Sequence, residues 1–349
     1  MTLGSGSGFE AQPLISLATG RWCKLICGAS LQDLPLIRNL ALVYTLAGVD
    51  CIDVAADPAV VAAAAAGREV ALGLGAPQKP WLMVSLNDGE DPHFRKAAFD
   101  PQHCPVDCLR PCERICPTQA IGRPGVDVPR CYGCGRCLGV CPWGLIGAQT
   151  YVHTPAAIVD LLANSPVDAL ELHTQVGHAD AFSQVWQQLQ PWAAGRQALA
   201  ISCPGGEGLQ AYLTSIYAQV RASGLPLIWQ TDGRPMSGDV GRGTTTAAIR
   251  LGATVLGYNL PGYVQLAGGT NAETVPRLRS LGFLADSPQP RPRRIAGVAY
   301  GSYARKLVQP YLESAGRHLE TNPTQLKEAV EVARELISPL KGTGINNRT

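Results

Sequence analysis

Short apolar runs and helix-period segments take turns along most of the chain. Residues 24–29 form the first apolar run and predict a strand. A helical pattern follows over 34–47, with Asp33 placed to cap it and Pro35 in its first turn. Residues 51–55 predict a second strand, an alanine-rich helix begins at Pro58, and 81–86 predict a third strand. A cysteine-rich block then interrupts. After it the pattern predicts a helix over 154–163, a strand over 169–173 and a helix over 181–189. A strand over 198–203, a helix over 209–222, a strand over 226–230 and a helix over 244–251 come next. Either 254–258 or 263–267 supplies the following strand. A helix over 272–281, a strand over 295–300 and a helix from Tyr303 complete the alternation. Asn322 and Pro323 offer a cap and a first-turn proline for a helix over 324–337, and residues 342–349 are expected to be a loose tail.

Alternating strands and helices imply a parallel sheet. Roughly eight such units predict a (β/α)8 TIM-like barrel. An open doubly wound sheet is the alternative. The cysteine block would then be an insertion after the third strand. Both ends of such a module can lie close together, so the barrel topology survives it. The expected division is a first barrel part over 1–92, a two-cluster ferredoxin-like insertion over 93–150, the rest of the barrel over 151–320, and a C-terminal helix and tail over 321–349.

Composition fits a sizeable core: 46% of the 349 residues are apolar and 16% are charged. Lys and Arg number 29 against 27 Asp and Glu, which argues against a general nucleic-acid binder. The longest apolar stretch, 58–66, is far short of the roughly 20 residues a membrane helix needs. Residues 1–10 are rich in Gly and Ser, with no basic start and no apolar block. The expectation is a cytoplasmic protein without a secretory signal or an integral membrane segment.

Twelve cysteines are then the feature to explain. In a reducing compartment they do not form a disulfide framework. Eight lie between Cys104 and Cys141, while Cys23, Cys27, Cys51 and Cys203 are scattered. The run Cys131-x2-Cys134-x2-Cys137-x3-Cys141-Pro142 has the spacing of a bacterial-type ferredoxin. Two-residue spacers let a compact loop aim three thiolates at three corners of one cubane. The fourth cysteine, after a wider gap and before a proline, is turned toward a second cluster. Gly133 and Gly135 let the backbone curl closely around the cluster. Zinc sites more often come as two separated pairs.

The preceding run, Cys104-x3-Cys108-x3-Cys112-x3-Cys116-Pro117, stretches the first two spacers by one residue each. A shift of 25 residues nevertheless carries Cys116-Pro117 onto Cys141-Pro142 and Cys112 onto Cys137. This is the internal repeat of a two-cluster ferredoxin, in which the fourth cysteine of each run serves the other cluster. Cys116, Cys131, Cys134 and Cys137 are therefore assigned to one [4Fe–4S] cluster. Cys104, Cys108, Cys112 and Cys141 are assigned to a second, which is [4Fe–4S], or [3Fe–4S] if the stretched loop turns one thiol away.

In a barrel, chemistry belongs at the C-terminal ends of the strands. Those ends are expected to carry Asn87, His173, Cys203, Asp232 and Asn259. Gly268, Gly269 and Thr270, and then Gly301 and Ser302, precede helices and form a candidate phosphate or flavin site. Glycines at strand–helix turns are also ordinary turns, as is the Asp-Gly step within 231–235. Cys27 and Cys203 read as buried small side chains that keep a possible redox role near the mouth. No catalytic residue is assigned.

Three segments together resemble one family. They are Trp22-Cys-Lys-Leu-Ile-Cys-Gly-Ala-Ser30, the stretched cysteine run followed by the ferredoxin run, and Gln230-Thr-Asp-Gly-Arg-Pro-Met-Ser-Gly238. They are similar to the LdpA family, the light-dependent period proteins of cyanobacteria, and the resemblance covers nearly the whole chain. It implies an iron–sulfur protein that feeds cellular redox state into the circadian clock without generating the rhythm. It also implies clock-complex and clock-input proteins as partners, and clusters of both [3Fe–4S] and [4Fe–4S] type.

The expected function is thus a redox sensor that exchanges electrons with a soluble or quinone donor and modulates circadian period. One alternative is a ferredoxin-coupled, flavin-dependent reductase that uses the barrel mouth, with Cys203 or His173 protonating substrate. Gly4-Ser-Gly-Ser-Gly8 lacks the preceding strand that a dinucleotide fingerprint requires. The other alternative is an electron carrier or an assembly factor for a redox complex.

Overall fold

The computed structural model describes residues 12–150, 165–233, 244–313 and 318–342. Its first strands are β1 (Trp22–Gly28), β2 (Cys51–Ala55) and β3 (Trp81–Asn87). Four short strands follow: β4 (Arg95–Ala98), β5 (Ile121–Gly122), β6 (Gly125–Val126) and β7 (Gly147–Thr150). The remainder are β8 (Ala169–His173), β9 (Ala198–Pro204), β10 (Leu227–Asp232), β11 (Tyr263–Ala267) and β12 (Gly297–Tyr300). β1, β2, β3 and β8 to β12 pair in parallel as a closed barrel, and the β1–β12 pairing shuts it. That closure corrects the open-sheet alternative.

The described helices are α1 (Gln12–Thr19), α2 (Leu34–Ala47), α3 (Pro58–Gly73) and α4 (Pro111–Ile115), then α5 (Ala179–Ala193), α6 (Leu209–Val220) and α7 (Thr244–Gly257). α8 (Thr274–Ser280), α9 (Ser302–Glu313) and α10 (Pro323–Lys341) complete them. Local chemistry explains the boundaries. The Asp33 side chain accepts from the Leu36 amide at 3.1 Å, and Gly48 ends α2 in the left-handed region at φ 99°. Asn322 accepts from the Gln325 amide at 3.2 Å to start α10. β2, β3 and β8 are buried at every residue, so their inward polar residues, among them Asp53 and Glu171, are enclosed with the apolar ones.

One alternative is decided and one expectation corrected. Residues 254–257 lie in α7, whose buried Ala248, Ile249, Gly252, Val255 and Leu256 recur at helical spacing, and 263–267 is the strand. Asn259 therefore lies on the turn from α7 into β11, at φ 59°, and not at a strand's C-terminal end. The expected helix over 154–163, the segment 234–238 and the tail from 343 lie outside the described residues. Among the described residues no helix is long and apolar enough to cross a membrane.

Between β3 and β8 the chain makes its cysteine-bearing excursion. β4 and β7 pair antiparallel, Arg95 opposite Thr150, so its two ends lie side by side. The excursion has its own small apolar cluster, with Ala97, Ala120, Ile121 and Ile146 around Cys112, Cys131 and Cys137. Contacts tie it to the barrel. Arg305 on α9 donates to the Ile26 and Cys27 carbonyls at 2.9 and 2.8 Å, and its guanidinium lies 4.3 Å from the centre of the Tyr132 ring. The Lys96 ammonium donates to Gln32 Oε1 at 2.7 Å and to the Val128 carbonyl at 2.6 Å.

Candidate functional site

Cys116, Cys131, Cys134 and Cys137 line one cavity, together with Arg95, Ala97, Tyr132 and Gly133. Backbone amides point at the sulfurs: Ala97 N donates to Cys131 Sγ at 3.4 Å and Ala120 N to Cys116 Sγ at 3.2 Å. Such bonds favour the thiolate and tune a cluster's potential. Burial pushes the Cys137 thiol up to about 12, with repulsion from Cys134, Cys131 and Cys116 adding to it. Four thiolates so close are unfavourable alone and suited to a cationic metal core. The donor set therefore fits an iron–sulfur cluster.

Gly133 holds the loop at φ 72°, and a Cβ there would stand 2.1 Å from the Arg95 carbonyl oxygen. Arg95 Nε also donates to the Gly133 carbonyl at 3.2 Å, so loop and β4 are locked together. Gly133→Ala is expected to cost about 1–2 kcal/mol from the left-handed backbone alone, with the clash added. Iron content and denaturant unfolding should both fall in this variant. Gly139→Ala, whose Cβ meets nothing within 4 Å, should leave both unchanged.

The other four cysteines surround Arg110 and α4. The Arg110 amide donates to Cys108 Sγ at 3.5 Å. Cys104 and Cys112 are both near enough to the Arg110 guanidinium to act on it. Burial and then the nearby Cys141 raise the Cys112 thiol, although the amides of Glu113 and Cys112 oppose them. Burial works against ionisation of Cys141, but the amides of Leu145, Trp143, Ile146 and Gly144 outweigh it and lower its pKa.

Cys23, Cys27, Cys51 and Cys203 are buried. Burial pushes the Cys27 and Cys203 thiols up to about 12, so both are inert as thiolates at neutral pH. Asn87, His173, Cys203 and Asp232 do lie at the C-terminal ends of their strands. His173 and Asp232 are buried and join a network that also includes the half-buried Asp91 and His93 from the loop after β3. His93 Nδ1 is 2.7 Å from Asp91 Oδ1, and His93 Nε2 is 3.3 Å from Asp232 Oδ2. His173 Nδ1 is 3.4 Å from Asp91 Oδ2, and its Nε2 is 2.9 Å from Glu171 Oε1. Burial opposes the charge on both imidazoles. Asp91 and Glu171 nonetheless raise His173 well above the ordinary histidine range, and Asp232 and Asp91 raise His93. Below them Lys24 pairs with Glu171 and stands 3.9 Å from Asp53.

Asp91, His93, Lys24, Asp53 and Glu171 were missed in the sequence. A signal existed for three of them: Lys24, Asp53 and Glu171 sit within otherwise apolar strands, and a charge buried there must be paired. Nothing in the sequence brings Asp91 and His93 over the barrel.

The late glycine turns are partly self-occupied. Gly268 and Gly269 have φ 61° and 105°, and a Cβ on Gly269 would meet Thr244 at 2.8 Å. Thr270 Oγ1 donates to the Ala299 carbonyl at 2.5 Å. Asn271 Oδ1 accepts from the Glu273 amide and Thr274 Oγ1 from the Asn271 amide, both at 2.9 Å. Gly301 lies beside Ile26 and Arg305. Ser302 lines a groove of about 800 Å³ between the barrel and the excursion, with Leu36, Pro117, Tyr132, Arg305 and Lys306.

Two family models match: "LdpA Fe-S cluster-binding domain" over residues 104–152 and "Light dependent period A C-terminal domain" over 161–339. The chain is 55% identical over 333 residues to "Light dependent period A" of Synechococcus elongatus, covering 94% of each chain. Among solved structures it is similar to (S)-3-O-geranylgeranylglyceryl phosphate synthase from Thermoplasma acidophilum, at 10% identity and TM-score 0.41, over 95% of this chain and 97% of that one. It is also similar to a putative fructose-1,6-biphosphate aldolase from Coccidioides immitis, at 11% identity and TM-score 0.42, over 97% of each.

Proposed function

The chain belongs to the light dependent period A family, and from that premise we propose that it senses cellular redox state and adjusts circadian period to light. Its Fe–S cluster-binding domain makes it an iron–sulfur protein. The observation that carries the reading is the shared cavity of Cys116, Cys131, Cys134 and Cys137 beside Tyr132, whose ring stacks against Arg305 of the barrel.

In this reading those four cysteines hold a [4Fe–4S] cluster. Cys104, Cys108, Cys112 and Cys141 hold a second, of [4Fe–4S] or [3Fe–4S] type. When bound, the clusters supply one-electron transfer with a soluble or quinone donor. The chain's own residues do the rest. The Ala97 and Ala120 amides stabilise thiolate charge. Tyr132 and Arg305 connect the cysteine loop to α9, so a change of charge beside Tyr132 is felt at the groove edge. Clock-complex and clock-input proteins are the proposed partners, in the cytoplasm, with residues 93–150 as the sensing module.

The flavin reading ranks below this one, because Thr274 Oγ1 already takes the Asn271 amide next to Thr270 and Asn271 Oδ1 takes the Glu273 amide. Partner capture from a cell extract decides the matter. Anaerobic protein with oxidised clusters, and the same protein reduced with dithionite, should recover clock proteins in different amounts. Equal recovery in both states would remove the sensor and leave an electron carrier. A flavin absorption spectrum in the purified protein would favour the reductase.

A further inference from the structure

We propose that Asp91, His93 and His173 form a binding site for one divalent transition-metal ion at the barrel mouth, distinct from the cysteine clusters. One ligand atom from each of the three lies within 4.8 Å of the others. Asp91 stands between the imidazoles, its Oδ1 at 2.7 Å from His93 Nδ1 and its Oδ2 at 3.4 Å from His173 Nδ1. The other nitrogen of each ring is held by a further carboxylate. His93 Nε2 faces Asp232 Oδ2 at 3.3 Å, and His173 Nε2 faces Glu171 Oε1 at 2.9 Å. Metal-ligating histidines are built this way, one ring nitrogen for the ion and the other fixed by an acidic or carbonyl partner.

The surroundings suit an ion. The two imidazoles approach with ring centres 5.1 Å apart, and Phe94, fully buried, meets His173 edge-on at 5.2 Å. Ligands about 2.0–2.1 Å from a tetrahedral zinc stand about 3.3 Å apart. The 3.4 Å between Asp91 Oδ2 and His173 Nδ1 already matches, and an ion would spread the 2.7 Å hydrogen-bond spacing between Asp91 Oδ1 and His93 Nδ1. Two imidazoles and one carboxylate select zinc, manganese or iron(II) over magnesium or calcium. Three protein ligands leave a position open to water or to a small oxygen ligand, as in catalytic zinc sites. His173 comes from the end of β8, whereas Asp91 and His93 lie on the segment leading into the cysteine module. The ion would therefore clamp the module to the barrel.

The test uses full-length protein with its cluster iron intact, dialysed anaerobically against buffered submicromolar zinc. Elemental analysis should find about one zinc per chain in addition to cluster iron. His93→Ala should abolish it, and Asp232→Asn should weaken it about 10–100-fold, with iron and sulfide unchanged in both. Zinc should also raise the unfolding temperature of the wild type and not that of His93→Ala. No zinc in the wild type, leaving protons as the only occupants of the imidazoles, would overturn the site. So would equal zinc in wild type and His93→Ala, which would place the metal on cysteines. Because the iron count is read in the same samples, the result is independent of the sensor reading.

Discussion

Cys137→Ser is expected to remove the cluster held with Cys116, Cys131 and Cys134 and, with it, the response of circadian period to light, while the rhythm itself persists. Serine is nearly the same size, so the packing of Ala97, Ala120, Ile121 and Ile146 around this position has little reason to collapse. What changes is the ligand, because a hydroxyl does not ionise near neutral pH as a metal-bound thiol does. Bound iron should fall by about half if the two runs hold one cluster each. Circular dichroism should show the barrel intact. Cys203→Ser serves as control, because that thiol is buried near the end of β9, pushed up to about 12, and donates to the Pro204 carbonyl. An unchanged light response in a strain whose protein has lost this iron would refute the sensor.

The sequence made the barrel legible wherever a strand is buried on both sides. Residues 51–55 and 169–173 carry no solvent-exposed face, and their boundaries coincide with β2 and β8. The same rule failed at 254–258. Thr-Val-Leu-Gly is apolar enough for a strand, yet it is the end of a 14-residue helix whose buried face starts further back at Thr244. Strands β4 to β7 are too short to leave a period, and their place depends on where the cysteines hold the chain. The cysteine repeat pointed to Cys116 as companion of Cys131, Cys134 and Cys137, and these four line one cavity. The acid–imidazole network at the mouth was out of reach for a different reason. Its members come from β1, β2, β8, β10 and the loop after β3, and only barrel closure brings them together.

The largest loss of stability is expected from Lys24→Met. Lys24 is fully buried inside the barrel, paired with Glu171, 3.9 Å from Asp53 and 3.6 Å from Met83 Sδ. Removing the ammonium leaves Glu171 and Asp53 without their main countercharge in a place water does not reach. Breaking one partner of a buried pair costs about 3–5 kcal/mol. Burial alone would raise the Glu171 carboxyl, but Lys24 first, and then His173, bring it down to about 2. A depressed folded pKa contributes stability above the ordinary value of 4.5, and that stability is lost as pH falls from 4.5 to about 2. The wild type should therefore lose stability across that window, whereas Lys24→Met should start lower and show a shallower acid slope. Anaerobic denaturant unfolding at several pH values measures both. Lys24→Met combined with Glu171→Gln should be less destabilised than the two single changes added, because the double variant no longer strands a charge. A cost below about 1 kcal/mol for Lys24→Met, or strict additivity, would mean that the pair is not coupled as its geometry implies. Well-packed apolar residues replace such pairs at little cost, so stability alone does not account for three ionisable groups in the floor of this barrel. The same cluster also reaches the mouth, where Glu171 holds His173 at 2.9 Å.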